Sequence, residues 1–161
     1  NFLWLYRLHR PVISLVPGVR DALDILFGSQ ADIAILTDGR SVTQRLKLTA
    51  VGLGSIPLFV SEDYQSNKPD AERFIAIEKR WPDCVYVYVA DNPVKDFLVP
   101  NARGWLTLGA SWVEDRVHEL DLSTLRPALQ PKYWLSDPVQ VIYQIEAAQI
   151  DLQCICKRHL C

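Results

Sequence analysis

Residues 85–108, VYVYVADNPVKDFLVPNARGWLTL, decide the fold. Val85 to Ala90 is an unbroken run of β-branched and aromatic residues, the side chains that fit a pleated strand. Asp91-Asn92-Pro93 interrupts it with turn-forming residues, a short helix is expected from Val94, and Trp105-Leu106-Thr107-Leu108 reads as another strand. A strand with no polar alternation is buried on both faces, as in parallel sheets. Strand, helix and strand in succession form a βαβ unit, and ligands of such sheets sit beyond the carboxyl ends of the strands. Asp91 and Asp96 follow one such end.

The same grammar extends upstream. Ile33-Ala34-Ile35-Leu36 is a short apolar strand, followed at once by Thr37-Asp38-Gly39. Residues 41–51 are helical by spacing, with Val42, Leu46 and Ala50 on one face, and stop at Gly52. Ile56 to Val60 reads as a strand, Ser66-Asn67-Lys68-Pro69-Asp70 as a loop, and Ala71 to Trp81 as a helix ended by Pro82. Before all of these, Pro17-Gly18 opens a helix carrying Val19, Leu23 and Leu26, which Gly28 ends. Beyond Leu120, Pro127, Pro131 and Pro138 mark an irregular stretch, and one further helix covers about Val139 to Leu152. There is no internal repeat and no low-complexity segment.

Composition narrows the function classes. With 49% hydrophobic and 22% charged residues the chain can bury a core, and 161 residues suit one domain with a remnant of a second. Net charge is −2 and the Lys and Arg residues are scattered, which excludes a nucleic-acid footprint and a basic membrane patch. No run approaches the roughly 18 apolar residues of a spanning helix. Cys84 stands alone while Cys154, Cys156 and Cys161 crowd the tail, so there is no disulfide framework, and a reducing, cytoplasmic setting is expected. Cys154-x-Cys156-x-x-His159-x-Cys161 has ligand types that suit zinc, but its cramped spacing matches no common zinc module; it is taken as a poorly specified tail. His9 and His118 have no motif partners and read as surface or structural. The five Trp and six Tyr residues read as core, with Trp112 and Trp134 partly exposed. The chain opens on Asn1, contains no Met, and its first apolar residues, Phe2 to Tyr6, look like the interior of an element; a start upstream of Asn1 is expected.

Three polar groups end or follow strands. Singly, Thr37 suits a helix cap, Lys68 a solvated loop lysine, and Asp91 and Asp96 a turn and a cap. Their order carries more: strand–Thr, loop–Lys-Pro, strand–Asp-x-x-x-x-Asp. AILTDGRSVTQRLKLTAVGL (residues 34–53), SNKPDAERF (66–74) and residues 85–108 resemble the second, third and fourth motifs of the haloacid-dehalogenase-like (HAD) superfamily. ISLVPGVRDAL (13–23) resembles the family's segment between helical cap and core, so the likeness covers roughly residues 12–109.

The resemblance implies a parallel, Rossmann-like α/β core sheet with helices on both faces and a Mg²⁺-dependent phosphatase of small phosphorylated metabolites, working through an aspartyl-phosphate. Phosphoryl transfer needs a dianion positioned and the charge on its equatorial oxygens stabilised. The implied roles are a phosphate cradle at Thr37, Asp38 and Gly39, a neutralising ammonium at Lys68, and Mg²⁺ ligation by Asp91, with Asp96 supporting the metal site through water or through Lys68. Ala90 stands where the family usually has Gly, a small departure. The larger one is the first motif, an Asp-x-Asp after an apolar strand that supplies the nucleophile. Asp21 and Asp24 lie on a helix, Asp32 begins a strand, and Glu119-Leu120-Asp121 has the wrong residue and no strand before it.

The family's central strand, between those ending at Thr37 and Ala90, is therefore missing from the expectation. The two could pair directly, or Phe2–Tyr6 could fill the place, although the resemblance makes that segment a cap helix. The expected organisation is a cap remnant and linker over 1–16, an incomplete core over 17–120, and an extension with one helix and a Cys-rich tail over 121–161. Such a chain is expected to be inactive alone. Two other readings stay open: a metal-independent 2-haloacid dehalogenase, and a non-catalytic HAD-like binding domain. Substrate identity and oligomeric state are not legible.

Overall fold

A computed structural model describes residues 8–29, 31–113 and 125–148. In chain order the elements are α1 (Val19–Gly28), β1 (Ile35–Thr37), α2 (Ser41–Ala50), β2 (Leu58–Val60), α3 (Ser61–Tyr64), α4 (Glu72–Arg80), β3 (Val87–Ala90), α5 (Pro93–Asp96), α6 (Leu98–Ala102), β4 (Leu106–Ala110), a 3₁₀ turn (Pro127–Leu129), β5 (Tyr133–Leu135) and α7 (Gln140–Ala147). All strand pairs are parallel, so the α/β class holds. Phe2–Tyr6, Glu119–Thr124, His118 and the Cys-rich tail lie outside the described residues. No described helix is long and apolar enough to cross a membrane.

The chain divides into two compact units. The first holds Ile33–Arg80 with the described part of Asn1–Leu15. Here β1 pairs with β2 in the register Ile35↔Leu58, Leu36↔Phe59 and Thr37↔Val60, and α2 forms the crossover. The helix ends where Gly52 takes a positive φ of 75°, the left-handed conformation that glycine adopts without penalty. Leu53 N–H reaches back to Leu48 O at 2.8 Å and Gly52 N–H to Thr49 O at 3.2 Å, closing a Schellman motif. At the other end, Ser41 N–H donates to Glu62 Oε2 at 2.8 Å, so a carboxylate from α3 satisfies a donor that the helix leaves open. Phe59, Val60, Phe74 and Ile77 form the buried apolar residues of β2 and α4.

The second unit holds Val16–Asp32 and the described part of Trp81–Cys161. Its sheet has the order β3-β4-β5, and every residue of the central β4 is buried. Side chains of a strand alternate between faces. One face buries Leu106 and Leu108 with Leu135, Val141 and Ile145, against which Leu26 of α1 and Trp112 pack. On the other, Thr107 meets Asn101 of α6, and Gly109 lies under the Trp134 ring. Helices thus cover both faces of this sheet. The stretch expected to be irregular after Leu120 contains β5, which extends the sheet. Trp112 and Trp134 are half-buried, as expected, and Trp134 meets Phe97 edge-on at 6.1 Å. Among the described residues β1 has β2 as its strand neighbour, and β3 has β4.

Candidate functional site

Each unit brings one set of sequence-selected residues to strand ends. In the first unit Thr37 closes β1, and the chain turns through Asp38 and Gly39 into α2. Gly39 has φ 126°, and its N–H donates to Ser61 Oγ at 2.9 Å, while Ser61 donates back to Gly39 O at 3.3 Å. Gln44 Nε2 donates to Asp38 O at 3.0 Å, and the Thr37 hydroxyl makes a long bond of 3.3 Å to the same carbonyl. The loop of the third motif docks on this turn: Lys68 N–H donates to Asp38 Oδ1 at 3.2 Å across 30 residues of sequence. The Lys68–Pro69 peptide is cis.

Arg73, on the first turn of α4, completes the cluster. Its side chain is 0% exposed; NH1 donates to Thr37 O at 2.7 Å and NH2 to Asp38 Oδ1 at 2.6 Å. A guanidinium fork can hold two acceptors at once in fixed geometry. Sequence reasoning passed over Arg73, although a signal was present: it stands four residues before Ile77 and next to Phe74, on the buried face of the helix, where a cation requires a partner. Beside the turn is a cavity of about 480 Å³ lined by Gly39, Arg40, Ser61, Glu62, Gln65, Ser66 and Asn67. Arg40 and Glu62, which line it, pair at 3.7 Å; this pair and Arg45–Asp63 at 3.4 Å are exposed and contribute little to stability.

In the second unit β3 ends at Ala90, and Asp91 is exposed in the turn that follows. Asn92 caps α5, its side chain accepting from Val94 N–H at 3.2 Å. Asp96 is 2% exposed; its two oxygens accept from the Tyr88 hydroxyl at 3.3 Å and from Asn92 N–H at 3.1 Å. Asp96 thus braces the loop that presents Asp91. No cluster of three or more His, Cys, Asp or Glu suited to a metal occurs among the described residues. Mg²⁺ keeps several waters and takes as few as one or two protein carboxylates, so the accessible hard oxygens of Asp91 suit it chemically.

Parallel βαβ units in this order define the class: the chain has the HAD-like fold. Among solved structures, it is similar to the HAD-hydrolase YfnB from Bacillus subtilis, solved bound to magnesium, with 26% identity over 81% of this chain and 55% of that one, at a TM-score of 0.63. A HAD family hydrolase from Deinococcus radiodurans with bound phosphate and sodium shares the fold at TM-score 0.66, with 18% identity over 83% of this chain and 60% of that one. A 2-haloacid dehalogenase from Pseudomonas syringae does so at 0.59, with 17% identity over 83% and 54%. The chain therefore spans between 54% and 60% of the length of these three structures. No protein-family model matches the sequence, and neither does any curated protein.

Proposed function

We propose that these residues belong to a Mg²⁺-dependent phosphohydrolase acting on small phosphorylated metabolites. Thr37, with the Asp38 N–H at the strand-end turn, holds a phosphoryl oxygen, whereas the Gly39 N–H is taken by Ser61; Lys68 neutralises the dianion; Asp91 would ligate the metal, with Asp96 supporting it. Bound Mg²⁺ supplies charge neutralisation at the phosphoryl oxygens. In the reaction, a carboxylate oxygen bonds phosphorus as the ester P–O bond breaks, and the leaving oxygen takes a proton from solvent, which is returned when water attacks in the second step. Water then cleaves the acyl phosphate, releasing inorganic phosphate and restoring the carboxylate. The 161 residues contain no Asp-x-Asp after an apolar run, so the chain by itself is expected to bind phosphate without turning substrate over.

The observation that carries this reading is the direct bond from Lys68 N–H to Asp38, which ties the lysine loop to the threonine strand end. The test has two arms. Titration with inorganic phosphate, followed by amide NMR, is expected to shift residues 37–39 and 68 saturably, more weakly in Lys68→Ala. Assay with p-nitrophenyl phosphate and Mg²⁺ is expected to give no turnover. Turnover abolished by Asp91→Asn refutes the chain's incompleteness; absence of phosphate binding refutes the phosphohydrolase itself. Binding of a 2-haloacid in place of phosphate, indifferent to Mg²⁺, favours the dehalogenase reading.

A further inference from the structure

We infer that Arg73 is a positioning residue, which sets the phosphate-holding turn and the lysine loop in register through Asp38; the inference rests on the phosphohydrolase reading above. One end of its fork holds the Thr37 carbonyl at 2.7 Å and the other holds Asp38 Oδ1 at 2.6 Å. In a trans peptide the C=O and the following N–H point in opposite directions. Fixing the Thr37 carbonyl toward Arg73 therefore fixes the Asp38 N–H away from it, at the end of β1, where an anion held by the strand-end turn would take it. The second end of the fork acts through the carboxylate. Asp38 Oδ1 also accepts from Lys68 N–H, so one buried cation orders both the second-motif turn and the loop of the third. The next peptide is held independently, by Gln44 on Asp38 O and by Ser61 on Gly39 N–H, so Arg73 is the group that governs the Thr37–Asp38 peptide.

The arrangement is built for this purpose more than for stability. Burying a guanidinium costs desolvation energy that an apolar residue avoids. Arg73 Nε is buried without a partner among the described residues, so the desolvation is not fully compensated. An apolar side chain beside Phe74 and Ile77 would pack at the same place without that cost, but would leave the turn and the loop untied.

The geometric role predicts a pattern that a stability role does not. Arg73→Lys keeps the charge but not the fork, and Arg73→Met keeps neither; both are expected to weaken binding at least 10-fold, as is Asp38→Asn/Arg73→Gln, which removes both charges of the pair and guards against misfolding of the single variants. Thermal melts verify that each is folded. Wild-type phosphate affinity in folded Arg73→Lys or in the double variant overturns the inference. The tie itself is read by hydrogen exchange: Lys68 N–H is expected to exchange at least 10-fold faster in Arg73→Met, with Val60 and Ile77 unchanged. If wild type fails to bind phosphate, the phosphohydrolase reading falls, while accelerated exchange at Lys68 alone still upholds the tie; unchanged exchange there overturns it.

Discussion

At Gly109 a methyl group would meet the Trp134 ring, with Cζ3 at 2.6 Å, and Pro131 Cγ at 2.7 Å. The indole lies flush on a β4 backbone that has no side chain at that position. Overpacking a filled site costs about 1–3 kcal/mol. Gly109→Ala is therefore expected to lower the urea midpoint by a corresponding amount, and Trp134→Leu in the same chain to restore part of it. An unchanged midpoint for the single variant would mean that the ring moves aside freely. Cys84 offers a second residue-level test. Burial, then Asp32 and Asp83, pushes its thiol pKa up, so less thiolate is present at any given pH. Its alkylation by iodoacetamide, read by peptide mass mapping, is expected to need a higher pH than that of a free cysteine peptide; equal profiles contradict this. At this scale the sequence was most informative about strand ends: Thr37 closes β1 and Asp91 directly follows β3. It was least informative for Arg73, whose meaning depends on a carboxylate 35 residues away.

Asn101 ties three elements together. Its Nδ2 donates to Ala128 O at 3.0 Å and Gln130 O at 2.8 Å, and its Oδ1 accepts from Thr107 Oγ1 at 2.7 Å. Thr107 Oγ1 in turn accepts from Lys132 N–H at 3.0 Å, directly before β5. This network explains why β5 escaped a reading by periodicity. Tyr133–Leu135 is short and flanked by prolines, and its place beside β4 is fixed by nonlocal bonds from α6 and β4. Most of the longer elements were legible to within about two residues, because burial and period agree there; the last helix, expected to about Leu152, ends at Ala147. The differences have local causes. β1 begins at Ile35, whose N–H is taken by Pro57 O, and β2 begins after Ile56, whose N–H closes a turn on Leu53 O. The helical turn Ser61–Tyr64 is too short to show a period. Asn101→Ala removes three hydrogen bonds and strands the buried Thr107 hydroxyl, a loss of about 2–3 kcal/mol. The variant is expected to show faster hydrogen exchange at Tyr133–Leu135 than at Val87–Ala90. Uniform acceleration of both strands argues against a specific tether.

Across the whole molecule the candidate groups are divided by the chain itself: Thr37–Gly39 and Lys68 belong to one compact unit, Asp91 and Asp96 to the other. The motifs' order was readable from sequence because each is local, whereas joint action is a property of free energy and is measured as such. A ligand that binds only the native state stabilises it by RT ln(1 + [L]/Kd), about 2.7 kcal/mol at a hundredfold excess over Kd. Phosphate alone is therefore expected to raise the melting temperature through Thr37 and Lys68, and Mg²⁺ alone to raise it slightly through Asp91. If both ions serve one phosphoryl group, each strengthens the other's binding by the same factor, with couplings of about 1–3 kcal/mol being typical. The stabilisation by phosphate and Mg²⁺ together should then exceed the sum of the separate shifts. Asp91→Asn should remove that excess while leaving the shift due to phosphate, and Lys68→Ala should weaken both. Strict additivity in wild type would mean two independent ion sites, and a phosphohydrolase needs them linked.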